Sequence, residues 1–566
     1  MRSPALAKAP AESTVSPAVA LLPRRGLWAL SAVVVVAYTC LLGFYNFGEP
    51  DEPRYAEIAR EMLELRDWVT PHLNYVKYFE KPPLVYWLTA INFHLLGISE
   101  GVARLWPAIF GLMGIALAYR LGRSMYDTWT GYAAAALLAT SPLYFGLSQI
   151  LILDMPLTGL MTVALAAFWF AYRSPRYRRG FVLLLYAATG LAVLTKGPVA
   201  AVLNAGSIFL FLLLRGEWTA LRWVCSPLGV LLFGVVVLPW FVLVSQRNPE
   251  FLDFFIYDQH LKRFLNPNEH QQGLWFFIPI VWGGMLPWSL FPLLAPGRLR
   301  QFAQQILARE VSAATLFCVV WSAVVFVFFS LSGSKLATYV LPVFCPLAIL
   351  AARFFHWVIS TGQVEPMRRG YLGLLVCAAL LVPVGIVTGL TIEHPNVGVI
   401  LPRAYIGIGI IAAALATALG LLRRQAIQGS LVTMVVAMLA VQLVAISGRE
   451  VTENYPRLGK TIHQLARPQD QVIAYNHYVQ GMPFYTRRRV VMVRGHGELN
   501  FGSRQGDQSA FFWADDEALL QAWQSPRRIF LVINRRELAP LLSRMQPPPR
   551  EIAAERKKVL IVNFAE

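Results

Sequence analysis

Charged side chains are scarce in this chain: Asp, Glu, Lys and Arg make up 14% of its 566 residues, whereas 56% are hydrophobic. An ordinary soluble domain has about 25% charged residues. Apolar runs recur along most of the chain, each of the length that crosses a bilayer as a helix. The composition therefore excludes an ordinary soluble protein and predicts an α-helical polytopic membrane protein.

Cysteine is also rare, and the phosphate-binding motifs of nucleotide enzymes are missing. The five cysteines lie within or at the ends of hydrophobic runs, at positions 40, 225, 318, 345 and 377. We therefore expect no disulfide framework and no cysteine metal site. Neither a Walker-type loop nor a dinucleotide fingerprint is present, so direct use of ATP or of a nucleotide sugar is unsupported.

The hydrophobic runs predict about thirteen transmembrane helices. These lie near 26–44, 102–121, 130–148, 152–172, 180–196, 198–215, 223–245, 273–295, 313–331, 336–355, 371–391, 402–422 and 428–447. We expect a cytoplasmic tail at 1–25, a transmembrane catalytic domain at 26–447 and a separate outer domain at 448–566.

Arginine clusters fall at the exits of alternate spans and are almost missing from the others. Examples are Arg120 with Arg123 and Arg423 with Arg424. Because cytoplasmic loops are enriched in Lys and Arg, this pattern places the N-terminus inside and the C-terminal domain outside. The net charge of +18 is then explained by these loops and a basic outer site, and we expect no nucleic acid partner.

Two outer connections are long, 45–101 and 246–272. The apolar stretch from Pro82 to Leu96 within the first is too short to span and predicts a helix in the membrane interface. The C-terminal domain is expected to be a small α/β unit with helices at 515–523 and 536–544. Its buried strands are predicted at 471–475, 490–493, 529–533 and 559–562.

Acidic residues stand out in two places. Asp51 and Glu52 precede Pro53, which marks the start of a predicted helix, and Asp154 adjoins a long apolar run. A charge at such a position is costly and indicates a functional site. The alternative is that Asp51 and Glu52 only cap a helix and interact favourably with its dipole, and that Asp154 only caps the fourth span, since Pro156 follows it closely. The span order places them on one face of the membrane, where the carboxylates could converge.

Several cations also map to this outer face, where short loops normally lack them. They are Arg54, Lys81, Lys196, Lys262, Arg263 and Lys335. Any one alone could be a solvated or snorkelling side chain. Together with Tyr55, Tyr78 and Tyr339 they suit a substrate that carries phosphate and a sugar.

A metal site has weaker support from the sequence. Glu80 and His260 are candidate ligands for a divalent metal, but no compact spacing such as His-x-x-x-His supports them. The sequence therefore requires no cofactor.

Five segments resemble those of the bacterial 4-amino-4-deoxy-L-arabinose transferases that modify lipid A, a branch of the GT-C glycosyltransferases. The segments begin at Asp51 (Asp-Glu-Pro-Arg-Tyr-Ala-Glu), Phe79 (Phe-Glu-Lys-Pro-Pro-Leu), Leu153 (Leu-Asp-Met-Pro-Leu), Leu194 (Leu-Thr-Lys-Gly-Pro) and Ser332 (Ser-Gly-Ser-Lys-Leu-Ala-Thr-Tyr). The Asp-Glu pair alone is shared with protein mannosyltransferases, and the Glu-Lys-Pro-Pro and Thr-Lys-Gly-Pro segments favour the aminoarabinose branch.

This resemblance implies a GT-C fold, a donor of undecaprenyl phosphate carrying aminoarabinose, a lipid A phosphate as acceptor, and a site at the periplasmic face of the bacterial inner membrane. The modified lipid A would resist polymyxin and other cationic peptides. We expect a monomer in contact with membrane lipids. Another GT-C enzyme, such as a protein O-mannosyltransferase, and a lipid or sugar transporter are the alternatives.

The resemblance also suggests roles for the candidate residues. Asp51 and Asp154 would hold the cationic amino sugar and stabilise charge at its anomeric carbon. Lys81 with Arg54 would neutralise the leaving phosphate. The remaining expected substrate-binding residues are Glu52, Tyr55, Tyr78, Lys196, Arg263, Lys335 and Tyr339.

Overall fold

Helices form most of the described residues up to 448. The computed structural model describes residues 24–262, 271–391, 397–448 and 455–564. Among these residues, eight helices have the length and apolarity to cross a membrane, and three shorter apolar helices cover Trp28–Thr39, Leu84–Leu96 and Val199–Arg215. The chain is thus a multi-pass helical membrane protein, and the count of thirteen spans stays a prediction.

The first half of this helical part contains twelve α-helices. They are α1 (Arg24–Thr39), α2 (Asp51–Leu65), α3 (Leu84–Leu96), α4 (Glu100–Ala103), α5 (Leu105–Met125), α6 (Thr128–Ala139), α7 (Pro142–Ser148), α8 (Asp154–Arg173), α9 (Arg178–Lys196), α10 (Val199–Arg215), α11 (Leu221–Val224) and α12 (Pro227–Arg247). A short hairpin, β1 (His72–Leu73) and β2 (Val76–Lys77), lies between α2 and α3.

The second half follows a π-helical segment, Asp253–Lys262, and includes a 3-10 segment, Ala337–Val343. Its helices are α13 (Phe277–Gly284), α14 (Leu290–Leu293), α15 (Pro296–Leu307), α16 (Ala313–Leu331), α17 (Phe344–Thr361), α18 (Val364–Thr391), α19 (Val397–Arg423) and α20 (Ile427–Ile446).

Two predicted spans are divided near their middle by non-helical residues. The run at 130–148 is divided between α6 and α7, because Pro142 lacks the N–H that would continue the helix and Ser141 is extended. The run at 273–295 is likewise divided between α13 and α14, with Pro287 between them. An apolar run indicates that a segment is buried. Whether that segment forms one continuous helix depends on the proline inside it.

Helix α8 lies at the centre of the bundle. Of the 18 consecutive residues that make up its most apolar stretch, 83% are buried inside the protein. In α12 the corresponding share is 22%. It packs against α5, α9 and the 3-10 segment that contains Tyr339. A central helix that begins at Asp154 places this carboxylate at one end of the bundle, among several packed elements.

The C-terminal part forms a six-stranded mixed sheet. Its strands are β3 (Gln471–Tyr475), β4 (Val490–Val493), β5 (Phe512–Trp513), β6 (Ile529–Asn534), β7 (Arg550–Glu555) and β8 (Lys558–Val562), in the order β5-β4-β3-β6-β8-β7. The first four run parallel, and β8 is antiparallel to β6 and β7. The four strands predicted from apolar runs are confirmed.

Four short helices accompany this sheet. They are α21 (Pro456–Leu465), α22 (Gly481–Thr486), α23 (Asp516–Trp523) and α24 (Arg535–Leu538). The helix predicted at 515–523 is confirmed, whereas the stretch predicted at 536–544 is α24 followed by a 3-10 turn, Leu542–Arg544.

The sheet domain packs directly on the first outer connection. The Asn74 side chain donates to the Val490 carbonyl and accepts from the Val490 N–H, both at 2.8 Å, which ties the β1–β2 hairpin to strand β4. One apolar core also joins Phe47, Tyr55 and Leu153 to strand residues such as Val472. The sheet domain therefore forms one wall of the region that holds the acidic residues.

Candidate active site

Asp51 and Arg54 lie on the first turn of α2, at the contact with the sheet domain. The Arg54 guanidinium forms ion pairs with the carboxylates of Asp51 and Glu498. Arg54 is buried, and Asp51 keeps about half of its side chain exposed. One cation is thus held between a carboxylate of the outer loop and one of the C-terminal domain. Asp51 lies in the first turn of α2, where the helix dipole also favours a carboxylate, so the capping and dipole alternative stays open beside the contact with Arg54.

Glu52 points the other way, into a buried ion pair. Its carboxylate accepts from the Arg104 guanidinium at 2.7 and 3.0 Å and from the backbone N–H groups of Gly48 and Leu151. Glu52 is 1% exposed and Arg104 is fully buried. These are the contacts of a positioning residue, since they connect α2 to the loop that leads into α8. Substrate binding by Glu52 stays a prediction.

Asp154 meets two other predicted residues at the start of α8. Lys196 Nζ donates to Asp154 Oδ1 at 2.5 Å, and the same Nζ lies 4.3 Å from the centroid of the Tyr339 ring. Asp154 is the first residue of α8, after the N-cap residue Leu153, and its side chain accepts from this lysine. Residues 154, 196 and 339, far apart in sequence, therefore share one site.

Tyr55 links the two acidic groups. Burial raises the pKa of the Tyr55 phenol, Arg54 lowers it, and the charges of Asp51, Glu80 and Asp154 raise it further. All four charged residues thus lie within electrostatic reach of one phenol. The carboxylates at 51 and 154 therefore both act on the Tyr55 phenol, and their convergence on one substrate stays a prediction.

Two further tyrosines line this region with unsatisfied hydroxyls. Tyr78 and Tyr86 are buried, and the Tyr86 ring centroid lies 6.0 Å from that of Tyr55. Within the described residues, neither the Tyr78 hydroxyl, the Tyr86 hydroxyl nor Arg54 Nε has a hydrogen-bond partner. Because buried polar groups without partners are costly, these three atoms are suited to a polar ligand such as a sugar.

The remaining predicted cations have different positions. Lys81 Nζ donates to the Glu80 carbonyl at 3.0 Å and its side chain is half-buried. Lys335 is buried, and its Nζ donates to the carbonyls of Gln272 at 2.9 Å and Ser332 at 2.5 Å. Lys335 therefore joins two outer segments, and phosphate binding by it stays a prediction.

Two predicted site residues have side chains that the structure does not describe. Arg263 lies outside the described residues, and the side chain of His260 is not described either. Among the described side chains, no group of three or more His, Cys, Asp or Glu residues is arranged to hold a metal. Glu80 lies near the Tyr55 and Tyr78 phenols, where its charge raises both pKa values.

Sequence reasoning missed Glu498, Tyr86 and Arg104. Arg104 had a usable signal, because it is a lone cation at the outer end of an apolar helix. No sequence signal pointed to Glu498. It lies in a 3-10 turn, Gly497–Asn500, of the C-terminal domain, and sequence periodicity does not reveal that this domain packs against α2.

Comparisons with known proteins find relatives of both the helical part and the C-terminal domain. The family model described as dolichyl-phosphate-mannose-protein mannosyltransferase matches residues 29–255, and that of the aminoarabinose transferase C-terminal domain matches residues 458–563. ArnT from Cupriavidus metallidurans, solved bound to undecaprenyl phosphate, is 29% identical with a TM-score of 0.85, and the match covers 96% of this chain and 99% of that one. An Archaeoglobus fulgidus oligosaccharyltransferase, 14% identical with a TM-score of 0.52 over 92% of this chain and 70% of that one, shares the fold alone.

Two curated relatives are undecaprenyl phosphate-alpha-4-amino-4-deoxy-L-arabinose arabinosyl transferases. The Sodalis glossinidius protein, named arabinosyl transferase 2, is 31% identical to this chain. The match covers 65% of this chain and 66% of that protein. That of Pectobacterium atrosepticum is 28% identical over 94% of this chain and 97% of its own length. The chain spans just under two thirds of the first of these and nearly all of the second. With its C-terminal domain and its fold both matched, the chain belongs to the aminoarabinose transferase family of GT-C glycosyltransferases.

Proposed function

We propose that this protein transfers 4-amino-4-deoxy-L-arabinose from undecaprenyl phosphate to a lipid A phosphate at the periplasmic face of the bacterial inner membrane. The observation that carries the proposal is the contact of Lys196 with Asp154 and the Tyr339 ring, in a chain of this family. The charges of Asp51 and Asp154 both act on the Tyr55 phenol, which supports a shared site. The undecaprenyl phosphate in the related crystal structure supports a polyprenyl-phosphate donor.

In this reaction the bond between the anomeric carbon and the carrier phosphate oxygen breaks, and its electron pair stays on that oxygen. A lipid A phosphate oxygen forms the new bond to the anomeric carbon. A phosphate monoester has a second pKa of about 6, so this oxygen is already anionic at neutral pH. The site therefore needs no general base.

The carboxylates of Asp51 and Asp154 would stabilise the protonated amino group and the positive charge that develops on the ring. Arg54 is held by Asp51 and Glu498, which suits it to orienting Asp51 rather than to binding phosphate alone. Lys81 and Lys196 are then the cations that would bind the leaving phosphate. Lys196 would exchange its contact with Asp154 for the phosphate when the amino sugar binds.

The test is complementation of a bacterial strain that lacks its own transferase, with lipid A analysed by mass spectrometry. We expect the chain to restore aminoarabinose on lipid A and growth in polymyxin. Asp51→Asn, Asp154→Asn and Lys81→Ala should each lower modification about 100-fold. The exposed Asp507 provides the matched control, Asp507→Asn, which should retain modification.

Full modification in any one of the three variants would remove that residue from the scheme. Unmodified lipid A together with hexose on periplasmic proteins would instead assign the chain to protein O-mannosylation, the second GT-C reaction. Movement of an intact sugar lipid across vesicles without transfer would indicate a transporter.

A further inference from the structure

A cavity of about 440 Å³ lies at the end of the helical bundle opposite the candidate site. Helix α5 shows the separation: it begins beside Arg104 and ends 21 residues later at Met125. At 1.5 Å per residue this is about 30 Å, roughly the thickness of the hydrocarbon core. Tyr126 then contacts Arg353, which lines the cavity. The cavity is therefore distinct from the site around Asp154.

The walls of the cavity are largely apolar and come mainly from α13 with the residues that follow it, from α15 and from α17. They include Trp282, Met285, Leu347, Leu350, Phe354 and Trp357. Trp282 is about half exposed, so the cavity is open toward the surroundings of the bundle. An apolar recess that opens on the membrane-facing surface of a helical bundle suits a hydrocarbon chain.

Two arginines lie in the same cavity without a compensating acid. Arg298 Nη1 donates to the Gln301 side chain at 2.7 Å, and its guanidinium carbon lies 4.7 Å from the Trp357 ring centroid. Arg353 Nη1 lies 3.4 Å from His356 Nδ1. Within the described residues, neither guanidinium has a carboxylate within ion-pair distance.

The two guanidinium groups are close enough to influence each other. Burial lowers the pKa of Arg298, and the charge of Arg353 lowers it further. The Asp127 carboxylate faces His356, another residue that lines the cavity, at 3.6 Å. Two half-buried cations that repel each other are costly unless an anion lies between them.

We propose that this cavity binds an anionic phospholipid, with its phosphate between Arg298 and Arg353 and an acyl chain along the apolar wall. The guanidinium fork matches phosphate oxygens in a bidentate manner, which fits the charged part of the ligand. The apolar wall fits a lipid rather than a free anion. The lipid would belong to the leaflet opposite the proposed catalytic face.

The full chain, purified in detergent and stripped of lipid, tests this proposal. Phosphatidylglycerol or phosphatidylcholine with identical acyl chains is added, and bound lipid is measured by native mass spectrometry together with the shift in Tm. We expect phosphatidylglycerol to bind about tenfold more strongly and to raise Tm, and Arg298→Gln with Arg353→Gln to remove this preference. Arg298→Lys with Arg353→Lys should retain part of it, because the charge remains.

The matched control is Arg423→Gln with Arg424→Gln, which removes two exposed arginines that do not line this cavity. Leu350→Trp fills the cavity without altering charge and should also abolish the preference. The Tm of each variant without lipid reports whether it is folded. Equal binding of the two lipids, or an equal loss in the control, would overturn the proposal. Equal stabilisation by inorganic phosphate alone would assign the site to a free anion and would also overturn it.

Discussion

Glu52 and Arg104 form a two-pronged ion pair inside the protein, with Arg104 Nε and Nη2 donating to the two carboxylate oxygens at 2.7 and 3.0 Å. Arg104 also donates to the carbonyls of Leu42, Tyr45 and Asn46. The pair therefore fixes the first outer connection against the start of α5, and through the Leu151 N–H it fixes the approach to Asp154.

Breaking this pair should destabilise the protein. Removing one partner leaves a buried charge without compensation, which costs roughly 3–5 kcal/mol. We expect Glu52→Gln to lower the Tm of the purified chain markedly, and Glu52→Gln with Arg104→Met to recover part of the loss, because no charge is then buried. Differential scanning fluorimetry in detergent measures both.

The control for this prediction is Glu365→Gln. Glu365 forms an exposed pair with Arg369, and exposed pairs contribute about 0–1 kcal/mol. If Glu52→Gln were no more destabilising than this control, the proposed anchoring role would be wrong.

Glu498 should influence transfer although it lies in the sheet domain. Its carboxylate holds Arg54, which in turn holds Asp51, so Glu498→Gln should weaken the orientation of Asp51. We expect activity with the polyprenyl donor to fall about tenfold, mainly in kcat, with a smaller effect on Tm. Glu551→Gln is the matched control in the same domain, since Glu551 is exposed and pairs only with Arg535 among the described residues.

Rescue distinguishes positioning from folding. Glu498→Asp keeps the charge, and we expect it to recover more activity than Glu498→Gln at an unchanged Tm. Identical activity in the two variants would argue against an electrostatic role.

Contact between the sheet domain and the outer connection should depend on pH. Glu49 Oε1 and Oε2 accept from the N–H groups of Gly481 and Gln480 at 2.6 and 3.1 Å. Burial raises its pKa from 4.5 to about 8 and outweighs these hydrogen bonds, which lower it. Since the folded state binds the proton more tightly than the unfolded state, stability is fully present below about pH 4.5 and is lost as pH rises toward about 8.

Glu49→Gln tests this dependence because it removes the titration. We expect the Tm of the parent chain to fall between about pH 5 and about pH 8, and the Glu49→Gln variant to lack this component of the slope. The exposed Glu551→Gln should keep the parental slope. A parental slope in Glu49→Gln would show that another group is responsible.

Transfer should continue without a divalent metal. The acceptor phosphate needs no activation at neutral pH, and Lys81 and Lys196 can balance the leaving phosphate. We therefore expect purified enzyme with defined donor and acceptor lipids to retain activity in excess EDTA. A loss of activity that added Mn²⁺, Mg²⁺ or Zn²⁺ restores would contradict this expectation and direct attention to Glu80 and His260.

Much of the architecture could be read from hydrophobicity alone, because burial is a local requirement on each segment. The runs at 471–475, 490–493, 529–533 and 559–562 became strands, and α8, α9 and α16 match predicted spans closely. Errors arose where a proline divided an apolar run, as at Pro142, since hydropathy is insensitive to the missing N–H. Among the site residues, Asp154 and Lys196 were found because each breaks a rule that membrane segments otherwise follow.

The sequence by itself determined that this is a multi-pass membrane protein, because apolar runs of spanning length recur along it. It also predicted that acids and cations gather toward one membrane face, since a charge beside an apolar run is costly. Only the tertiary structure decided which charges face each other. In the folded protein Glu52 pairs with Arg104, Asp154 pairs with Lys196, and Arg54 pairs with both Asp51 and Glu498. Such pairings depend on how distant helices and the sheet domain pack, and packing is a property of many contacts together rather than of any local pattern.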